Sequence, residues 1–175
     1  MRKAILLDRD GVIIEEKEYA YKINDCIILP NSIKGLRLLK DFILIIVTNQ
    51  SGIGRKIFTE KDYLNFNKYL IKELKANGIK ISKSYFCPHV SKDNCVCRKP
   101  KTKFLDEARK EFNIDIKNSF MIGDKMSDFD FGRNGKLKTI HVLTGYGKKF
   151  QKTVSPDYVA ADLFDAAKWI LKNEK

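Results

Sequence analysis

Three short polar stretches, each following an apolar run, carry side chains suited to handling a phosphate ester. "DRDG" sets Asp8 and Asp10 two residues apart, with Gly11 permitting a tight turn behind them. "TNQSG" presents Thr48 followed by Asn49, Gln50 and Ser51, and "GDKMSD" brings Asp124, Lys125 and Asp128. Gathered at one point, Asp8, Asp10 and Asp124 would repel one another unless a divalent cation lay among them. Hard oxygen donors with positions left open for water and phosphate suit Mg²⁺. The Thr48 hydroxyl and the Lys99 ammonium then suit phosphate oxygens. Any one of these stretches is also what an ordinary acidic turn looks like, and without a cation the set would be a solvated rim. Recurrence on three strands, in sequence order, favours chemistry.

A second constellation lies in "CPHVSKDNCVCRKP", Cys87 to Pro100. Cys87, His89, Cys95 and Cys97 offer three thiolates and one imidazole, a closed tetrahedral zinc set with no vacant position for catalysis. The C-x-H…C-x-C spacing departs from the usual C-x₂-C knuckle, so free thiols stay open as the alternative. Cys26 has no sequence partner and reads as a small buried hydrophobe. His141, inside an apolar strand, reads as a packed histidine, and Trp169 as core.

These residues need a scaffold, and the apolar pattern supplies one. Short strands are expected at Ala4–Leu7, Ile43–Val47, Ser84–Phe86, Ser119–Ile122 and Thr139–Leu143. Between them, helices are expected at Ile33–Lys40 (capped by Asn31 or Ser32), Glu60–Asn77, Phe104–Phe112, a short stretch after Asp128, and Asp162–Leu171. Strand alternating with helix predicts an α/β fold with a mainly parallel sheet and helices on both faces. Ligands of such sheets bind beyond the carboxyl ends of the strands, where the polar stretches fall.

With 175 residues, 43% hydrophobic and 32% charged, the chain reads as one globular domain spanning 1–175. Its longest apolar run, Phe42 to Thr48, is too short for a bilayer, so no membrane association is expected. "MRKAILLDRDG" reads as a first core strand, not a leader, which makes the cytoplasm the expected compartment and metal the expected use of clustered cysteines. The net charge is +12, but only seven of the 34 basic residues are arginine and the lysines are spread along the chain. That favours solvated surface lysine with a basic site mouth over a nucleic-acid face.

"DRDGVI", "VTNQSG", "CRKPK" and "GDKMSD" resemble, in order and spacing, the four motifs of the haloacid dehalogenase superfamily of phosphatases. The His/Cys loop just before the lysine motif is similar to the branch containing the heptose-bisphosphate phosphatases and the histidinol phosphatases. The resemblance implies a Rossmann-like domain, structural Zn²⁺ in the loop at 87–97, and hydrolysis through an aspartyl-phosphate. Asp8 would be the nucleophile and Asp10 the general acid and base. Mg²⁺ would be held by the Asp8 carboxylate, the Asp10 backbone carbonyl and Asp124. Thr48 and Lys99 would stabilise the transferring oxygens, with Asp128 supporting from behind.

From Asp8 to Thr48, and from Thr48 to Lys99, the chain is already filled by expected elements, leaving no room for a cap domain. Selectivity is therefore assigned to loops: the flap around Glu15–Lys22, Asn49–Lys56 and the cysteine loop. Expected substrate contacts are Arg9, Glu16, Tyr19, Asn49, Gln50, Ser51, Arg98 and Lys125. A guanidinium beside Lys99 can take a second anionic group, so Arg98 is assigned the anomeric phosphate of a heptose 1,7-bisphosphate while the 7-phosphate is cleaved. The resemblance thus implies an enzyme for a small sugar bisphosphate, in lipopolysaccharide or related cell-surface polysaccharide synthesis, and a monomer is expected. The five residues between His89 and Cys95 form a short loop of the histidinol-phosphatase kind, which keeps histidinol phosphate as the alternative. A nucleic-acid 3′-phosphatase and a non-catalytic zinc-stabilised nucleic-acid binder are the remaining readings.

Overall fold

The structure, a computed structural model, describes residues 1–174. Six parallel strands form one sheet: β1 (Ala4–Leu7), β2 (Ile43–Asn49), β3 (Ile81–Cys87), β4 (Phe120–Gly123), β5 (Lys138–Val142) and β6 (Tyr158–Ala160). Their spatial order is β3-β2-β1-β4-β5-β6, so the direction of winding reverses between β1 and β4. In such sheets the reversal opens a crevice at the carboxyl ends of the two central strands. Asp8 and Asp124 are the residues that follow β1 and β4 there.

Seven α-helices follow in chain order: α1 (Ser32–Leu38), α2 (Ser51–Gly54), α3 (Glu60–Ala76), α4 (Lys103–Phe112), α5 (Met126–Asn134), α6 (Gly147–Phe150) and α7 (Leu163–Asn173). Successive strand residues point to opposite faces, and the core divides accordingly. Ile5, Leu7, Leu44, Ile46 and Ile122 pack with Leu36 of α1, Phe66 and Leu70 of α3, and Ile170 of α7. Ala4, Leu6, Ile45, Val47 and Met121 pack instead with Leu105 of α4 and Phe131 of α5. Both faces are thus covered, which is why the strands read as unbroken apolar runs. Among the described residues no segment folds as a cap over the sheet, and no helix is long and apolar enough to cross a membrane.

Local chemistry sets the boundaries of α3 and the start of α7. Thr59 accepts from the Asp62 N–H while Asp62 accepts from the Thr59 N–H, a reciprocal box that starts α3. Asn77 and Gly78, the latter at φ 78°, end it. Asp162 caps α7 through the Asp165 N–H. The expected cap of α1 is different. Asn31 adopts a left-handed conformation and its amide donates to Asp162, while Ser32 Oγ donates to Val12 O, so neither side chain caps the helix. Tertiary partners outcompete the local one. Helix α5 begins at Met126, ahead of Asp128, which sits inside its first turn. β6 is a further strand that the apolar pattern did not predict. Trp169 stacks on Tyr158 at 4.9 Å and meets Phe120 edge-on. His141 is buried, its Nε2 2.8 Å from Gly147 O, as a packed histidine should be.

Candidate active site

At the crevice Lys99 is the organising cation. Its Nζ lies 3.1 Å from Asp8 Oδ1 and 2.6 Å from Asp128 Oδ1, and donates to Val47 O at 2.6 Å. All three charged side chains are buried. Burial alone would raise the Asp8 carboxyl, but the Lys99 ammonium, then Lys125, outweigh it and hold Asp8 below the ordinary carboxylate range. Burial likewise opposes charge on Lys99, yet Asp128 and Asp8 keep it above its usual value. Asp8 is therefore an ionised carboxylate at neutral pH, as a nucleophile requires.

Asn49, expected at the substrate, lines the cavity and also holds Lys99. Its amide accepts from the Lys99 N–H at 3.0 Å and donates to Lys99 O at 3.2 Å. Arg9, likewise expected at the substrate, engages Asp10. Its side chain has no exposed surface, and the guanidinium grips Asp10, with Nε to Oδ2 at 3.1 Å and Nη2 to Oδ1 at 2.9 Å. Nη2 further donates to Ala20 O and Gln50 Oε1, and the guanidinium carbon lies 4.6 Å above the Phe66 ring. Gln50 Nε2 donates to both Asp10 Oδ2 and Thr48 Oγ1, at 3.0 and 2.8 Å. The two residues thus join Asp10 to Thr48.

Asp8, Asp124 and Asp128 each offer an oxygen, all lying within 4.8 Å of one another. The Asp10 carboxylate stands outside this group, held by Arg9 and Gln50. Burial pushes the Asp124 carboxyl up to about 8, against the pull of Lys125 and with Asp8 and Asp128 adding to the rise. Its Oδ2 accepts the Tyr146 N–H at 2.8 Å, whereas Oδ1 has no hydrogen-bond partner. Two left-handed glycines make room for it: a Cβ on Gly11 or Gly145 would collide with that carboxylate.

A cavity of about 230 Å³ opens over these groups. Every residue expected to perform chemistry or contact substrate lines it, including Glu16, Tyr19, Ser51, Arg98 and Lys125. Glu16 reaches from the flap to Lys125 at 2.5 Å, and burial pushes its carboxyl up to about 7 despite that ammonium. Tyr19 packs where a Cβ on Gly52 would strike its ring. Arg98 Nη1 donates to His89 O at 3.2 Å, tying the guanidinium to the cysteine loop. Tyr146 and Ser127 line the cavity as well and were not anticipated. The signal for Tyr146 was a fourth polar strand end, "LTGYG" after β5.

In the loop, Cys87, His89, Cys95 and Cys97 converge. Sulfur–sulfur separations are 3.3 to 3.7 Å, and His89 Nδ1 lies 3.6 Å from Cys87 Sγ and 3.4 Å from Cys97 Sγ.

A protein from Campylobacter jejuni, named D-glycero-alpha-D-manno-heptose-1,7-bisphosphate 7-phosphatase, is 43% identical over 149 residues, covering 84% of this chain and 85% of its own. The beta-anomer enzyme of Pasteurella multocida is 37% identical over 179 residues, 97% of each chain. The chain belongs to this phosphatase family. A family model described as HAD-hydrolase-like matches residues 96–166, placing the family among the haloacid dehalogenase-like hydrolases. The crystal structure of D,D-heptose 1,7-bisphosphate phosphatase from B. bronchiseptica, complexed with magnesium and phosphate, superposes with a TM-score of 0.91. It is 26% identical, over 98% of this chain and 99% of that one.

As a haloacid dehalogenase-like phosphatase, this chain is an Mg²⁺-dependent phosphoric monoester hydrolase. Its residues fit the ion: three converging carboxylates, with a buried Asp124 oxygen that no hydrogen bond engages, are a hard-oxygen donor set of the kind Mg²⁺ takes. The cysteine loop fits a second metal. A tetrahedron with arms of about 2.3 Å has edges of about 3.8 Å, close to the separations in the loop. This Cys/His cluster could hold zinc.

Proposed function

We propose that this phosphatase removes the 7-phosphate of D-glycero-D-manno-heptose 1,7-bisphosphate in the cytoplasm, acting as a monomeric single domain with a structural Zn²⁺. One observation carries the reading. Asp8 lines a cavity together with Lys99, which it touches, and Arg98, which is tied to the cysteine loop, so the cavity offers two cationic side chains for two anionic groups. The names of its relatives support the same sugar.

In this reading Asp8 attacks phosphorus in line with the sugar C7 oxygen. The bond from phosphorus to that oxygen breaks, and Asp10 delivers a proton to the departing alkoxide. Water then attacks the aspartyl-phosphate, Asp10 accepts its proton, and inorganic phosphate leaves with Asp8 restored. Mg²⁺ held by the Asp8 and Asp124 carboxylates and the Asp10 carbonyl would orient the phosphoryl group and offset its repulsion from Asp8. Thr48 and Lys99 donate to the equatorial oxygens. Asn49 fixes the Lys99 backbone so that this donor need not reorganise during the reaction.

The test is phosphate release from a panel: both heptose 1,7-bisphosphate anomers, histidinol phosphate and a 3′-phosphorylated oligonucleotide, each with and without Mg²⁺. The highest kcat/KM is expected on a heptose bisphosphate, with none of the four hydrolysed without Mg²⁺. A preference for histidinol phosphate would overturn the assignment.

A further inference from the structure

Arg9 is a buried cation beside Asp8 and Asp10. It is the largest fully buried side chain in the molecule, it carries a charge, and it touches no solvent. Such a guanidinium is costly to keep inside unless its partners use its geometry. Those partners come from four parts of the chain. Two parallel hydrogen bonds run to the two oxygens of the Asp10 carboxylate. A third goes to Ala20 O in the flap, and a fourth, longer at 3.3 Å, to Gln50 Oε1 after β2. The Phe66 and Tyr63 rings of α3 lie beneath it at 4.6 and 5.6 Å from the guanidinium carbon.

We propose that Arg9 is a positioning residue for proton transfer: a buried clamp that fixes the orientation of the Asp10 carboxylate and ties it to the flap backbone at Ala20. A forked donor on both carboxylate oxygens removes rotation about the last Asp10 torsion, which a point charge would leave free. Gln50 completes the arrangement, because it accepts from Arg9 and donates to Asp10 and Thr48 at once. The flap that supplies Glu16 and Tyr19 to the cavity wall is therefore mechanically linked to the residue that must meet the leaving oxygen. Proton delivery to an alkoxide loses rate steeply with small errors of placement. The proposal rests on the role given to Asp10 above, and the experiment separates the two.

Arg9→Lys and Arg9→Met are compared with Asp10→Asn on two substrates, a sugar phosphate and p-nitrophenyl phosphate. The aryl oxide leaves without needing a proton, so its transfer to Asp8 is indifferent to a misplaced acid, and kcat/KM reports only steps through that transfer. For both Arg9 variants, the loss on the sugar phosphate is expected to exceed the loss on the aryl phosphate by about tenfold or more, within the range that general acids contribute. Equal losses on the two substrates, or no loss, would overturn the proposal and leave Arg9 a packing residue. If Asp10→Asn itself shows equal losses, it is the acid role of Asp10 that fails. Should neither Arg9 variant fold, the Arg9 Nε–H resonance of the unaltered enzyme decides. A slowly exchanging signal that shifts in Asp10→Asn supports the clamp, and a freely exchanging or unshifted one refutes it.

Discussion

Asn49 and Lys99, fifty residues apart, hold each other by a pair of hydrogen bonds between one side-chain amide and one backbone. The arrangement joins the end of β2 to the cysteine loop at the residue whose ammonium touches Asp8. Replacing Asn49 with Ala removes both bonds, at a cost of about 1–3 kcal/mol in stability by the usual worth of such bonds. Urea denaturation should register that loss, and kcat should fall as Lys99 gains freedom. A variant with normal kcat would show that Lys99 is placed by the loop alone.

Asp8→Asn should abolish turnover while leaving the fold intact, since the amide cannot attack phosphorus. Zinc content and melting temperature serve as controls for folding. Residual activity near that of the unaltered enzyme would exclude the covalent route.

Stripping the cysteine loop of metal should disable the site from outside it. Metal binding and local folding are coupled in small Cys/His loops. Chelation of zinc, or Cys97→Ser, is therefore expected to lower activity by disordering Arg98 and Lys99, and added Mg²⁺ should not restore it. Zinc analysis alongside phosphate release checks this; full activity in zinc-free protein would refute it.

Gly145→Ala addresses the cation seat. A methyl there meets the Asp124 carboxylate and the Gly11 backbone, in a conformation with φ 54° that costs an alanine about 1–2 kcal/mol. The Mg²⁺ concentration for half-maximal activity should rise by about tenfold, the equivalent of roughly 1.4 kcal/mol. An unchanged Mg²⁺ titration would mean that Asp124 tolerates displacement.

Arg98→Ala is expected to reduce kcat/KM on a 1,7-bisphosphate well beyond its effect on a matching 7-monophosphate. Parallel kinetics on the two sugars measure the difference. Equal losses would remove Arg98 from recognition of the second phosphate.

Much of this site was readable in the sequence because strand ends announce themselves. Asp8, Thr48 and Asp124 each stand at the limit of an apolar run, and a parallel sheet places all such limits on one edge. The roles of Arg9 and Asn49 were not readable. Each borders a residue of the strand-end motifs in sequence, yet its hydrogen bonds and packing are set by distant partners, Phe66 and Ala20 for Arg9 and Lys99 for Asn49. The same competition displaced the caps of α1, where Asn31 found Asp162. β6 escaped because three residues give too short a pattern to distinguish a strand, and Tyr146 because its contribution to Asp124 is a backbone N–H, which no residue type reveals.

The reversal of winding between β1 and β4 also bears on how the enzyme comes into being. β1 is a central strand, but its β4 neighbour lies 115 residues further along, as the Ala4–Ser119 hydrogen bond records. On a ribosome, Asp8 emerges among the first residues while one edge of its strand waits for most of the chain to be made. Contacts of such separation close slowly. Bringing Asp124 to Asp8 therefore waits on the docking of β4. A truncated nascent chain ending before residue 120 would carry Asp8, Thr48 and Lys99, and still lack the strand that brings Asp124 to them.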